Sequence, residues 1–181
     1  DDAHIRANGK LQVSVTDCRT GDNVLVKHFD TREHLIQAIR ASCHIPPSFH
    51  PLDMVTKANL TYPLSEGISI RQMPGTTYAD GGLSEAVPSL TECDITVKVT
   101  PIAGKTDNEN CWIRPSGKGE WAIGSRSFAG QPVSLSLSNL RRLNTSIFGA
   151  SPAYLRKVYD DGAQDAEAWA ASIGEAQEIV T

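Results

Sequence analysis

Three features of this 181-residue sequence predict a mixed α/β fold. Residues 11–17 and 94–99 alternate apolar and polar side chains with the period of two that a half-buried strand requires. Residues 31–43 and 136–148 place apolar side chains at helical spacing instead. A long early helix set among strands favours α/β over an all-helical or all-strand domain.

The elements follow in chain order. Leu11, Val13 and Val15 alternate with Gln12, Ser14 and Thr16, predicting a strand at 11–17. Gly21 and Asp22 supply turn chemistry, and Val24 and Val26 continue a second strand over 23–29, so the pair reads as a hairpin. Asp30-Thr-Arg-Glu33 nearly matches a capping box and precedes Leu35, Ile36, Ile39 and Cys43, which predicts a helix at 31–43. Pro46 and Pro47 end it. Residues 50–75 read as a loop that becomes a strand near Ile68-Ser-Ile70, and 76–79 as a short strand running into Asp80. Residues 104–130 read as loop. Leu137, Leu140, Leu143 and Ile147 predict a helix at 136–148, and Ser151-Pro152 provides cap and first residue for a last one. Leu155, Val158, Tyr159, Ala166 and Trp169 are its expected apolar stripe.

Composition narrows the function classes. With 40% hydrophobic and 21% charged residues the chain has the balance of a globular domain. No apolar run approaches the roughly 20 residues that cross a bilayer. Seventeen basic and 21 acidic residues give a charge of -4, but six of the acids lie in 160–178, leaving 15 acids against 17 bases before it. A near-neutral body without a basic stripe excludes nucleic acid as the expected partner. Cys18, Cys43, Cys93 and Cys111 form no C-x-x-C pair, which points to a reducing compartment. The opening Asp-Asp-Ala-His, without an initiator Met, reads as a processed terminus, a gene-model edge or the start of an excised fragment.

The chemically suggestive stretch is Tyr78-Ala-Asp-Gly-Gly-Leu-Ser-Glu-Ala-Val-Pro88. Gly81 and Gly82 allow positive φ and close backbone approach, so the Asp80 carboxylate can be presented at a strand end as a proton acceptor. Asp-Gly is also a favoured hairpin turn. His28, His34, His44 and His50 match no zinc framework. His44 and Pro46 fit a cleft wall or a helix end, while Ser48 and Ser84 fit ordinary turn roles. No G-x-S-x-G occurs; in the nearest string, Gly149-Ala-Ser-Pro-Ala153, Pro152 lacks the amide an oxyanion hole needs. Ser151 therefore reads as a helix cap.

Taken in order, segments 11–17, 33–46 and 78–88 resemble the second half of a patatin-like phospholipase domain. Segments 95–104, 135–143 and 155–165 extend the likeness toward the adipose triglyceride lipase and adiponutrin branch, over about residues 8 to 172. The resemblance implies a three-layer α/β patatin-like fold, present in part, with the N-terminal half and its nucleophile elbow missing. It assigns 1–130 to the C-terminal part of the acyl hydrolase domain and 131–181 to a helical extension. Family members use a Ser-Asp dyad without a catalytic histidine, and an upstream glycine-rich loop binds the oxyanion. The dyad acid belongs to a D-G-[GA] motif, which here is Asp80-Gly81-Gly82. No metal or cofactor is implied. The implied substrate is an acylglycerol or phospholipid at a lipid surface, and the implied location is cytoplasmic, peripheral on droplets or membranes. The chain alone is expected to be inactive, with its strands at 11–17 and 94–99 leaving an apolar face or edge uncovered. A catalytically inactive scaffold or lipid-surface binding module is the alternative.

Overall fold

A computed structural model of the chain describes residues 2–47, 63–64, 66–90, 92, 96–105, 111–117 and 119–178, with side chains as far as 173. Two compact units divide the chain, Asp1–Pro88 and Ser89–Thr181. Both mix strand and helix.

The first unit begins with a short helix, α1 (Ala3–Ala7), that the sequence pattern does not announce. It ends in Asn8, whose side-chain amide imitates a strand partner. Phe29 N–H donates to its Oδ1 at 2.8 Å, and its Nδ2 donates to Phe29 C=O at 3.2 Å. Strands β1 (Val13–Asp17) and β2 (Asn23–Val26) form the expected antiparallel hairpin, with Val13 opposite Val26 and Val15 opposite Val24. The second strand stops at Val26 rather than Phe29, because Phe29 leaves the ladder to bond Asn8. Helix α2 (Arg32–Ser42) sits where its spacing predicts, but its cap is Thr31, not Asp30: Thr31 Oγ1 accepts from His34 N–H at 3.1 Å.

Strand β3 (Tyr78–Asp80) pairs antiparallel with β1, giving the order β2-β1-β3, with Val15 opposite Asp80 and Asp17 opposite Tyr78. The strand expected near Ile68 reduces to a single antiparallel bridge between Ile68 and Tyr78. One apolar cluster joins Val13, Val15, Val26, Phe29, Leu35, Ala38, Ala41, Ile70 and Tyr78, uniting the sheet with α2. Burial of each of its large side chains stabilises the unit by about 1.5–3 kcal/mol before entropy is counted. Cys18, Ala79 and Leu83 form a second, smaller cluster. The strand at 11–17 thus has neighbours on both edges and its valines buried, contrary to the expectation of an uncovered face there.

In the second unit, β4 (Lys98–Val99) runs parallel to β5 (Trp112–Ile113). The strand expected over 94–99 is described only from Thr96 onward, since 93–95 lie outside the described residues; Val97 and Val99 are exposed, as an uncovered apolar side requires. The reading of 104–130 as loop is corrected. Besides β5, it contains β6 (Ala122–Phe128), which forms an antiparallel ribbon with β7 (Gln131–Ser136). Six of the seven β6 residues are exposed, so backbone pairing rather than an apolar alternation defines the strand. Its two-residue turn, Ala129-Gly130, has φ of 45° and 74°, the pair of left-handed residues that a twisted hairpin favours.

Helix α3 (Leu137–Phe148) starts at the expected place, with Ser136 Oγ accepting from Asn139 N–H at 3.1 Å. Its buried residue is Asn139, not the expected leucines: Leu137 is 83% and Leu140 38% exposed. Helix α4 (Pro152–Glu178) is capped as expected, with Tyr154 N–H donating to Ser151 Oγ at 3.3 Å. Leu155 and Tyr159 of its predicted stripe are exposed. Among the described residues no helix is long and apolar enough to cross a membrane.

Candidate active site

Asp80 is the last residue of β3, and the chain turns at once into a single 3₁₀ turn, Gly81–Leu83. The hairpin reading of Asp-Gly is therefore not what the chain adopts. Strand pairing fixes the backbone of Asp80 on the β1 side, and on the other side its N–H donates to His44 C=O at 2.8 Å, just beyond the end of α2. Its side chain folds back so that Oδ1 accepts from Gly82 N–H at 2.8 Å. Among the described residues nothing bonds Oδ2. Burial pushes the Asp80 carboxyl above the usual aspartate range, and the Gly82 hydrogen bond opposes only part of that shift. The result is a half-buried carboxyl with one oxygen pinned and one available to accept a proton.

Gly81 and Gly82 act through space, not through positive φ. A Cβ on Gly81 would lie 2.3 Å from Ser14 Oγ and 2.4 Å from Ser14 C=O, so only glycine lets the turn pass against β1. A Cβ on Gly82 would crowd Asp80 Oδ1 at 3.1 Å.

A polar clamp holds this turn, and the sequence pattern does not reveal it. Thr16 Oγ1, fully buried in β1, donates to Asp80 C=O at 2.7 Å and shares a 2.8 Å hydrogen bond with Ser84 Oγ. Asn23 Nδ2 donates to Ser14 Oγ at 2.8 Å and Ser84 Oγ at 3.0 Å. Thr16 lies 64 residues from Asp80 and Asn23 61 from Ser84, so no local motif could announce them. Ser84 has the turn role expected of it, tying back to Gly81 C=O at 3.3 Å.

The other expected residues disperse. His44 meets Asp80 through its backbone carbonyl, and Pro46 is fully buried. His34 is buried against Phe29, ring centroids 5.9 Å apart, while His28 pairs with Asp30 at 3.3 Å. Ser48 and His50 lie outside the described residues. Among the described residues no three His, Cys, Asp or Glu converge to hold a metal ion. Ser151 is spent on capping α4.

Known proteins bear on this geometry. The family described as "Patatin-like phospholipase" matches residues 10–91, nearly the extent of the first unit and all of β1, α2, β3 and the Asp80 turn. Human patatin-like phospholipase domain-containing protein 4 is 32% identical over 90% of this chain, and the chain spans 55% of that protein. Mouse patatin-like phospholipase domain-containing protein 2 is 31% identical over 91% of the chain, which spans 29% of it. Mouse 1-acylglycerol-3-phosphate O-acyltransferase Pnpla3 is 31% identical over 59% of the chain, 22% of its own length. No solved structure matches. With an α/β core matched by the family over the segment that holds Asp80-Gly81-Gly82, and with relatives aligned across nine-tenths of its length, the chain belongs to the patatin-like phospholipase family and has the patatin fold.

Proposed function

We propose that this chain is the part of a lipid acyl hydrolase that supplies the general base, Asp80, to a serine nucleophile carried elsewhere in the same protein. The observation that carries the reading is the Asp80 carboxyl itself: it ends a strand, its pKa is raised by burial, and one oxygen is left for a proton. A serine hydroxyl is a poor nucleophile until a base within hydrogen-bond reach takes its proton, and a carboxylate with a raised pKa does so near neutrality. The pinning of Oδ1 by Gly82 sets the direction of the free oxygen. Gly81, Thr16, Asn23 and Ser84 act as positioning residues, holding the turn against β1. The substrate is an acylglycerol or phospholipid met at a lipid surface, and the names of the relatives, phospholipase and acyltransferase, fit acyl chemistry on such molecules.

The sequence holds no G-x-S-x-G, so the reading separates the base from the nucleophile. Its test compares this 181-residue chain with the longer protein that contains it. A serine-directed fluorophosphonate is expected to label the longer protein at a serine outside these residues and to abolish its acyl-ester hydrolysis, while the chain alone neither reacts nor turns over. Hydrolysis by the chain alone, blocked by the same reagent, contradicts the reading. A longer protein that neither hydrolyses esters nor reacts supports the inactive scaffold instead.

A further inference from the structure

The second unit contains an open cavity of about 670 Å³ to which Asp80, Gly81 and Gly82 contribute nothing. It lies between the β5 end, α3 and α4, and its lining carries four cations, Arg114, Arg141, Arg142 and Lys157, against Glu120, Asp161 and Asp165.

The charges are unequally engaged. Arg142 makes a two-point contact with Glu120, at 2.6 and 3.3 Å, and a third bond to Asn139 Oδ1 at 2.9 Å. Ser136 Oγ donates to the same Glu120 at 3.2 Å, so the pair is a built wall rather than a free charge. Lys157 is bound to Asp161 one helical turn away at 2.5 Å. Arg141 differs: its guanidinium lies 4.0 Å from the centre of the Tyr154 ring, and no carboxylate pairs with it among the described residues. A cation over an aromatic face is held by the ring without using up its N–H donors, so a guanidinium placed there keeps hydrogen-bonding capacity for an anion. Val99, Ile113 and Val158 add apolar surface to the same lining.

A cavity with a net positive lining, a stacked guanidinium and an apolar wall suits an oxyanion attached to an organic body. Guanidinium meets phosphate oxygens with parallel, charge-assisted hydrogen bonds, which suits it better to this task than a lysine. We propose that this cavity binds a phosphate ester, with Arg141 as the principal anion contact, at a site whose lining does not include Asp80. The phosphate could come from a soluble molecule or from a lipid headgroup, and the two sources are separable by experiment.

The test titrates the purified chain with glycerol 3-phosphate by calorimetry, with glycerol as the uncharged control, and floats it with phosphatidylcholine vesicles with and without phosphatidic acid. Glycerol 3-phosphate is expected to bind with one site per chain and glycerol not at all. Arg141→Met keeps an unbranched apolar stem beside Tyr154 and removes the charge; it is expected to weaken binding about tenfold or more. Gly162→Glu is the second variant: Gly162 lines the cavity, has open space where a side chain would start, and sits in a helix that a glutamate favours. It is expected to abolish binding by placing a carboxylate in the cavity, without loss of fold. Binding confined to phosphatidic acid vesicles, lost in both variants, supports the site and assigns the phosphate to a headgroup. Absence of binding to both probes, or binding unchanged in both variants, overturns the proposal.

Discussion

Asp80 and its two glycines carry opposite kinds of constraint, and each yields its own measurement. Gly81 is held by space, since any Cβ would meet Ser14 atoms under 2.5 Å. Gly81→Ala is expected to destabilise the first unit by roughly 1–3 kcal/mol, the usual cost of overpacking, seen as a lower denaturant midpoint with unchanged slope. Asp80 is held by solvation. Because its folded-state pKa is raised above the unfolded one, the native state binds its proton more tightly. Stability from this group is therefore full below the ordinary aspartate range and falls as pH rises through the window up to the raised folded value. Asp80→Asn, which can still accept from Gly82 N–H, is expected to melt no lower than wild type at neutral pH, and the difference should vanish below about pH 3.9, where both states are protonated. Asp17 has the opposite sign. Burial alone would raise its pKa, but Arg19 N–H, Thr76 Oγ1 and Thr20 N–H donate to its carboxylate, and the nearby Arg19 charge adds to them, so its pKa is lowered. Its contribution is present above the ordinary range and lost as pH falls through the depressed folded value, so Asp17→Asn should cost most at neutral pH and least in acid.

Elements whose stability comes from local chemistry were legible in the sequence, and those built by distant pairing were not. Helix α2 follows from apolar spacing within one segment, although its cap is Thr31 and not the expected Asp30, and the cap of α4 follows from Ser151. The β6–β7 ribbon escaped because its strand is almost wholly exposed and its turn is Ala-Gly, not the Asn-Gly that signals a hairpin. Ala129 pays a left-handed φ of 45° there. Ala129→Asn is accordingly expected to stabilise the second unit by about 0.5–1 kcal/mol, measured as a higher melting temperature. Asn139 likewise broke the leucine pattern of α3. Its amide accepts from Ala103 N–H at 2.9 Å and donates to Ala103 and Ser134 C=O at 2.8 Å each, tying the segment after β4 to β7. Ser134 N–H also bonds Ala103 C=O, so Asn139→Ala orphans chiefly the Ala103 amide and the Ser134 carbonyl. A buried amide and a half-buried carbonyl left unpaired, at about 1–3 kcal/mol each, put the expected loss at roughly 2–6 kcal/mol, with the partial exposure of the carbonyl favouring the lower half, read from the same melts.

Across the molecule, the sequence pointed to Asp80 at a strand end, because Asp-Gly-Gly after a strand is a local signal, while the turn that follows is a 3₁₀ turn and not the hairpin that Asp-Gly suggests. Its clamp was not, since Thr16 and Asn23 reach Asp80-Gly81-Gly82 and Ser84 only through the pairing of β1 with its neighbours. The proposed function puts the nucleophile outside these residues, and it stands or falls on whether the carboxyl of Asp80 does chemistry. The direct measurement is hydrolysis of a long-chain acyl ester by the longer protein carrying Asp80→Asn, with the melting temperature of the same preparation. Asn matches Asp in size, can keep the Gly82 hydrogen bond and cannot take a proton. The expected result is a fall in kcat by the order of 10⁴, as when the acid of a catalytic triad is neutralised, with the melt unchanged or raised. Activity near wild type with a normal melt would contradict the account and leave Asp80 as a residue that only shapes its turn.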